Sequence, residues 1–177
     1  MSASDFDAFN SPNFDPLVKV GINIDVNWDS IFYQSSIEKF CVFTKMNPNV
    51  GTLRLFPGIT EATVRGFLQQ PIQGVVLETY GAGNAPDRRK DILKALQDAC
   101  DRGVVIVNCT QCSKGLVTDI YATGKALTLI GIIPGSDMTP ECALTKLSYL
   151  LGKGQSPEWV REQIRLNLRG ELTIVSL

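Results

Sequence analysis

The stretch GVVLETYGAGNAP, Gly74 to Pro86, decides the fold. Its opening run, Gly74 to Thr79, is too densely apolar to have a solvated side, and a strand buried on both faces belongs to a parallel sheet. Two glycines, an asparagine and a proline follow. Glycine permits positive φ and close approach of another group, and Asn tolerates such turns. Beyond them, Asp87 to Arg102 places Ile92, Leu93, Leu96, Ala99 and Cys100 on one face at helical spacing. Pro86 suits the helix start and Gly103 its end. One βα unit is therefore legible, with an unusual loop at its junction.

The same alternation extends in both directions. Upstream, Thr52 to Phe56 reads as a strand, followed by a helix that Thr60 can cap and that Ile59 and Val64 can staple. Downstream, Gly103 to Asn108 reads as another buried strand, Lys125 to Ile130 as a short helix and Gly131 to Gly135 as a strand. Thr139-Pro140 opens a helix with Leu144, Leu147 and Leu151 inward and Gly152 at its end; Ser156-Pro157 opens a last one reaching about Arg169. Four βα units and a terminal helix predict an α/β fold: a small doubly wound, mostly parallel sheet flanked by helices. Residues 1–50 form a linker and lead-in, with 51–177 as the α/β domain. Within that lead-in, PLVKVGINIDVNW and KFCVFTKM suit extra strands, or a helix followed by a strand.

Composition narrows the chemistry. A net charge of −1 with 44% apolar residues carries no electrostatic footprint for nucleic acid or an anionic membrane, so neither is expected as a partner. The acidic first residues lack the pattern of a signal peptide, no apolar run approaches bilayer length, and five scattered cysteines suit a reducing compartment, so a cytoplasmic location is expected. There is no histidine, which removes Ser-His-Asp and Cys-His catalysis and most zinc sites within this chain.

Ligands of open parallel sheets collect at the carboxyl ends of the strands, here Pro57-Gly58, Tyr80 to Asn84, Asn108 to Cys112 and Ser136-Asp137. GAGNAP admits three readings: a plain turn, a ligand loop presenting Asn84, or a dinucleotide fingerprint. The last lacks its third glycine, and the next strand ends in Asn108 instead of the ribose-binding acid. The Cys109–Cys112 pair has redox spacing, though two small thiols at a strand end is the simpler reading. The long loop from Cys109 to Ala122 holds Tyr121 beside Thr118 and Asp119 and reads as either functional or merely mobile.

Taken together, FDAFNSPN (Phe6–Asn13), ETYGAGNAP, DRGVVIVNCTQCSKG, YATG (Tyr121–Gly124), GSDMTPECALTKLSYLLG and NLRGEL resemble the C-terminal domain of the cytoplasmic, type I L-asparaginases, in order along nearly the whole chain. The resemblance implies a two-domain amidohydrolase that converts L-asparagine to L-aspartate and ammonia with a threonine nucleophile, as a homo-oligomer, without metal or cofactor. The nucleophile and catalytic lysine of that family belong to an N-terminal domain, so no catalytic residue is expected here. The missing N-terminal domain becomes an expected partner, and the chain alone is expected to be inactive.

By the same resemblance, Asn84 contacts substrate in a neighbouring subunit's site, and Tyr121 reaches it too. The strand-turn-helix reading of residues 74–102 separately places Asn84 in an exposed loop at the carboxyl edge, beside Tyr80 and in one cleft with Asn108 to Thr110. Some bacterial members have a regulatory asparagine site in the neighbourhood of Glu78, Asn108, Thr110 and Cys112, with arginine where Glu78 stands. A glutamate repels the ligand carboxylate that an arginine would pair. Animal members are often longer, with ankyrin repeats and a lysophospholipase designation, neither of which is written in these residues. The alternative function is a non-catalytic module that binds a small amino acid or mediates subunit contact.

Overall fold

A computed structural model describes residues 3–6, 8–33, 39–86, 88–118 and 122–173, with the side chains of 122–124 outside that description. The chain divides into two compact units, 1–39 and 40–177.

The first unit contains an antiparallel ribbon, β1 (Val18–Val20) and β2 (Ile24–Val26), and a 3-10 turn at Trp28–Ser30. Val18 pairs with Val26 and Val20 with Ile24, so strand alternation puts all four on one ribbon face, with Lys19 and Asp25 on the other.

The second unit is the α/β domain. Its sheet contains β3 (Val50–Arg54), β4 (Gly74–Thr79), β5 (Val105–Thr110) and β6 (Ile133–Pro134), all parallel and in that spatial order. Crossovers run through α1 (Glu61–Phe67), α2 (Lys90–Asp101) and α3 (Ala122–Leu129), and α4 (Pro140–Gly152) and α5 (Pro157–Gln163) follow. Val64, Ile92, Leu96 and Leu127 from the three crossover helices share one core with Val75, Leu77 and Ile106. Ala143, Leu147, Leu150 and Val160 from α4 and α5, with Ile164 just past α5, share the other with Val76, Val105 and Val107. Both faces are covered, as the apolar strands require. The strands advance in one direction without reversing, so no crevice arises from a change of winding; ordered structure at the carboxyl edge must come from the loops.

Helix ends follow local chemistry. Thr60, Thr139 and Ser156 cap α1, α4 and α5, accepting from Thr63, Cys142 and Trp159 backbone N–H groups, and Pro140 and Pro157 sit in the first turns. After α2, Gly103 (φ +94) lets its N–H reach Cys100 O and that of Val104 reach Ala99 O, the two bonds of a Schellman ending. Gly131 repeats the arrangement after α3, on Thr128 O and Leu127 O.

Several boundaries differ from expectation. Helix α2 starts at Lys90, not beside Pro86, and Asp87 lies outside the described residues. The Arg89 guanidinium fixes that start by binding the Asp91 carboxylate at 2.6 Å and Ile59 O at 3.3 Å. That hydrogen bond holds the Asp91 carboxyl down to about 2. Strand β5 begins and ends two residues later than read, because Thr110 still pairs with Thr79. In α4, Leu147 is buried, whereas Leu144 and Leu151 are only half-buried and Ala143 and Leu150 complete the inner face. Helix α5 ends at Gln163 instead of Arg169.

Residues 40–49 pack within the α/β unit, although KFCVFTKM forms neither strand nor helix. Asn47 N–H donates to Ser148 O at 3.0 Å, and the Ser148 hydroxyl donates to Asn47 O at 2.7 Å. Gly152 lets the Lys45 carbonyl come against α4, where a Cβ would overlap it. Phe43 packs edge-on to Tyr149, and the Lys153 ammonium lies over both rings and Trp159.

The chain after α5 is strapped to α4. Lys146, 7% exposed, reaches Leu166 O at 2.6 Å and the Glu171 carboxylate at 2.5 Å. Glu171 also accepts from the Leu168 and Arg169 N–H groups. Burial opposes ionisation of Glu171, but the Lys146 ammonium and backbone donors outweigh it and hold the carboxyl below its ordinary range.

Candidate functional site

Strand β4 hands over to a closed turn at the carboxyl edge. Tyr80 N–H donates to Asn84 O at 2.9 Å, and Asn84 N–H returns to Tyr80 O at 2.8 Å, pairing the two residues as a short antiparallel bridge. Gly81 (φ +51) and Gly83 (φ +102) make the reversal. Gly83 has a second reason to be glycine: a Cβ there would stand 2.6 Å from Val117 Cγ1 and 3.1 Å from Asn108 Nδ2. Ala85 then drops into the core and anchors the far side. Asn84 is thus at the carboxyl edge beside Tyr80, half-buried instead of exposed.

Beneath the turn lies a buried polar layer. Alternation sends Thr79, Asn108 and Thr110 toward the α1–α2 side of the sheet, with Leu77 and Ile106 below them. Thr79 Oγ1 donates to Asn108 Oδ1 at 2.7 Å, Asn108 Nδ2 donates to Gly83 O at 3.1 Å, and Thr110 Oγ1 donates to Gly81 O at 2.6 Å. Thr110 Oγ1 also accepts from Cys112 N–H at 3.0 Å. Gln111 Nε2 donates to Leu55 O and Glu78 O, tying the ends of three strands together. Sequence reasoning missed Thr79 and Gln111. A lone Thr ending an apolar run was the available signal for the first, and the reach of Gln111 back to β3 had none.

The other face holds different groups. Glu78 and Cys109 are paired in register and point toward α4. Glu78 lies 3.6 Å from Arg54 Nη1 on the neighbouring strand, so a guanidinium stands beside this carboxylate after all. Burial, with smaller contributions from Cys142, Glu78 and Glu141, pushes the Cys109 thiol up to about 12. With no exposed surface, Cys109 is a packing thiol and not half of a redox pair, whereas Cys112 is exposed on the following loop. The structure therefore divides the suspected effector neighbourhood: Asn108 and Thr110 support the Asn84 turn on one face, Glu78 is on the other, and Cys112 is joined to the first pair through its backbone. Tyr121 lies outside the described residues.

Among the described residues, no group of three or more Cys, Asp or Glu side chains is arranged to hold a metal ion, and no helix is long and apolar enough to cross a membrane. A cleft of about 420 Å³ does exist, but at the opposite edge of the sheet, lined by Gln70 to Gln73 and Arg102 to Val104. The Arg102 guanidinium is bonded there to Leu68 O and Asp98 O, so the cleft is a seam between the segments that follow α1 and α2.

Fold and edge together define an α/β domain whose carboxyl-end loops form one hydrogen-bonded surface. Residues 49–164 match the model of the glutaminase/asparaginase C-terminal domain, and the chain belongs to that family. An L-asparaginase from Dirofilaria immitis is 51% identical over 95% of this chain and 29% of its own length. The 60 kDa lysophospholipase of Homo sapiens is 47% identical over 98% of this chain and 30% of its own. The crystal structure of L-asparaginase I from Vibrio cholerae has a TM-score of 0.90 and 42% identity, covering 98% of this chain and 52% of that one. The chain spans about half the length of that structure and less than a third of the two relatives.

Proposed function

We propose that this chain serves L-asparagine hydrolysis as the C-terminal, substrate-completing and oligomerising part of a larger asparaginase in the cytoplasm. The observation that carries the proposal is the Tyr80–Asn84 turn: a half-buried asparagine is held by backbone bonds and buried polar side chains at the edge where parallel sheets present ligands. An amide side chain both donates and accepts, which suits a zwitterionic amino acid. Asn84 is assigned to substrate, with Tyr121 as a second contact; the nucleophile is assigned to the other half of the enzyme. The family membership and the asparaginase names of two matched proteins support this reading.

Asn84→Ala in the complete polypeptide carrying residues 1–177 tests it. A lost hydrogen bond to a charged substrate group costs about 1.5–3 kcal/mol, so asparagine kcat/KM falls roughly 10- to 150-fold while stability changes little. Activity within twofold of the parent refutes the assignment. The isolated chain should release no ammonia and should self-associate with concentration, as sedimentation reads. Calorimetric titration with asparagine and aspartate separates ligand binding from the alternative, a module for subunit contact. The human relative's designation makes lysophosphatidylcholine the comparison substrate.

A further inference from the structure

We propose that Asn108 is a positioning residue that sets the direction of the Asn84 side chain, an inference that rests on the reading of Asn84 as a substrate contact. Asn108 is 3% exposed in a strand whose neighbours Val105, Ile106 and Val107 are apolar and buried. Burying an amide among them is unfavourable unless it is bonded, and an aliphatic residue would fill the slot without that cost. The sheet does not need the amide, since backbone pairing from Gly74–Val105 to Thr79–Thr110 already joins β4 to β5.

Both side-chain bonds point elsewhere. Gly83 O can only accept, so the atom facing it at 3.1 Å is the NH2 group; Oδ1 then faces the Thr79 hydroxyl at 2.7 Å, which fixes the amide from its other end. Gly83 O and Asn84 N belong to one peptide plane. Asn108 grips the carbonyl end of that plane, and Tyr80 O holds the N–H end at 2.8 Å. Two restraints on one plane fix the torsions on either side of it, including φ of Asn84, and hence where its Cα–Cβ bond points. Thr110 does the same for the turn's entrance through Gly81 O. A Cβ on Gly83 would also stand 3.1 Å from Asn108 Nδ2, a tight contact that the amide could relieve only by shifting from its place against Gly83 O.

The test is a double-mutant cycle in the complete polypeptide, with hydrogen exchange beside it. Asn108→Asp keeps the shape and replaces the donor with an acceptor facing Gly83 O. It should lower asparagine kcat/KM by about tenfold, the scale of one charge-assisted hydrogen bond. In the Asn84→Ala background it should lower kcat/KM by less than about twofold, because a residue acting through Asn84 has nothing left to position. Amide exchange of Asn84 should accelerate, with Ile106 and Val107 unchanged. Should Asn108→Asp fail to fold, Thr79→Val serves, with Thr79→Ser restoring the parent kinetics. Equal losses in both backgrounds mark a purely structural role and overturn the proposal, as does unaltered Asn84 exchange. A damaging Asn84→Ala beside a harmless Asn108→Asp sinks the positioning role alone. A harmless Asn84→Ala removes the substrate reading and the positioning role with it.

Discussion

Replacing Lys146 by Met removes a buried charge while keeping most of the side-chain stem. The parent ammonium is joined to Glu171 at 2.5 Å and Leu166 O at 2.6 Å, with side-chain exposures of 5% and 17% for Lys146 and Glu171. Deleting one member of a buried ion pair costs about 3–5 kcal/mol, because the other charge is left without its partner. Glu171 retains the Leu168 and Arg169 N–H donors, which places this case near the lower limit, about 3 kcal/mol. At roughly 2–4 °C per kcal/mol for a chain of this size, the melting temperature should fall by about 6–12 °C. The sign of the pH dependence follows from the depressed Glu171 carboxyl. Its stabilising contribution is complete above the unfolded value of about 4.3 and is lost as pH falls through the lower folded value. Urea unfolding of parent and variant should therefore show the full difference at pH 7 and a smaller one below about pH 4. Lys146→Met combined with Glu171→Gln should recover more than half of the loss. A cost under about 1 kcal/mol at pH 7, or one equal at every pH, refutes the argument that this pair carries the strap.

Gly152→Ala sets two effects against each other: Ala favours helix α4 by about 1 kcal/mol, while the new Cβ overlaps the Lys45 carbonyl and displaces residues 43–47. Overpacking against backbone costs about 1–3 kcal/mol, so the melting temperature should fall, and a rise would show that this segment is not docked on α4. Thiol labelling at pH 8 should find Cys41 and Cys112 fast, with Cys100 and Cys109, whose thiols burial pushes up to about 11 and about 12, reacting only as the protein unfolds. Fast labelling of Cys109 would contradict its placement on the covered α4 face.

What the sequence made legible is what local chemistry decides. Thr60, Thr139 and Ser156 announce helix starts because a cap bonds its own next turn, and Gly103 announces an end because positive φ is needed within two residues of it. Buried parallel strands were readable from density of apolar residues alone. The start of α2 was not, because Arg89 is held by Ile59 O, thirty residues away in the chain. Gly152 looked like a stop signal and is also a close approach to Lys45, a fact that depends on where the lead-in returns. The Asn84 turn was visible as a turn, but its support was hidden: Asn108 and Thr110 resemble any polar strand end until their bonds to Gly83 O and Gly81 O are seen.

The one-way order of the sheet has a consequence during synthesis. All three crossover helices cover the same face, so by Pro134 the strands have delivered Val76, Val105, Val107 and Ile133 to a second face that none of those helices covers. Its cover comes later in the chain, from Ala143 in α4 to Ile164 just past α5. At roughly 5–20 residues per second, a ribosome leaves that apolar face waiting for about 2–6 seconds. A nascent chain that has cleared the ribosome only as far as Thr139 carries a nearly finished sheet that is sticky on one side, the state a chaperone would have to shield. The same chain, once it has cleared as far as Leu172, closes over it.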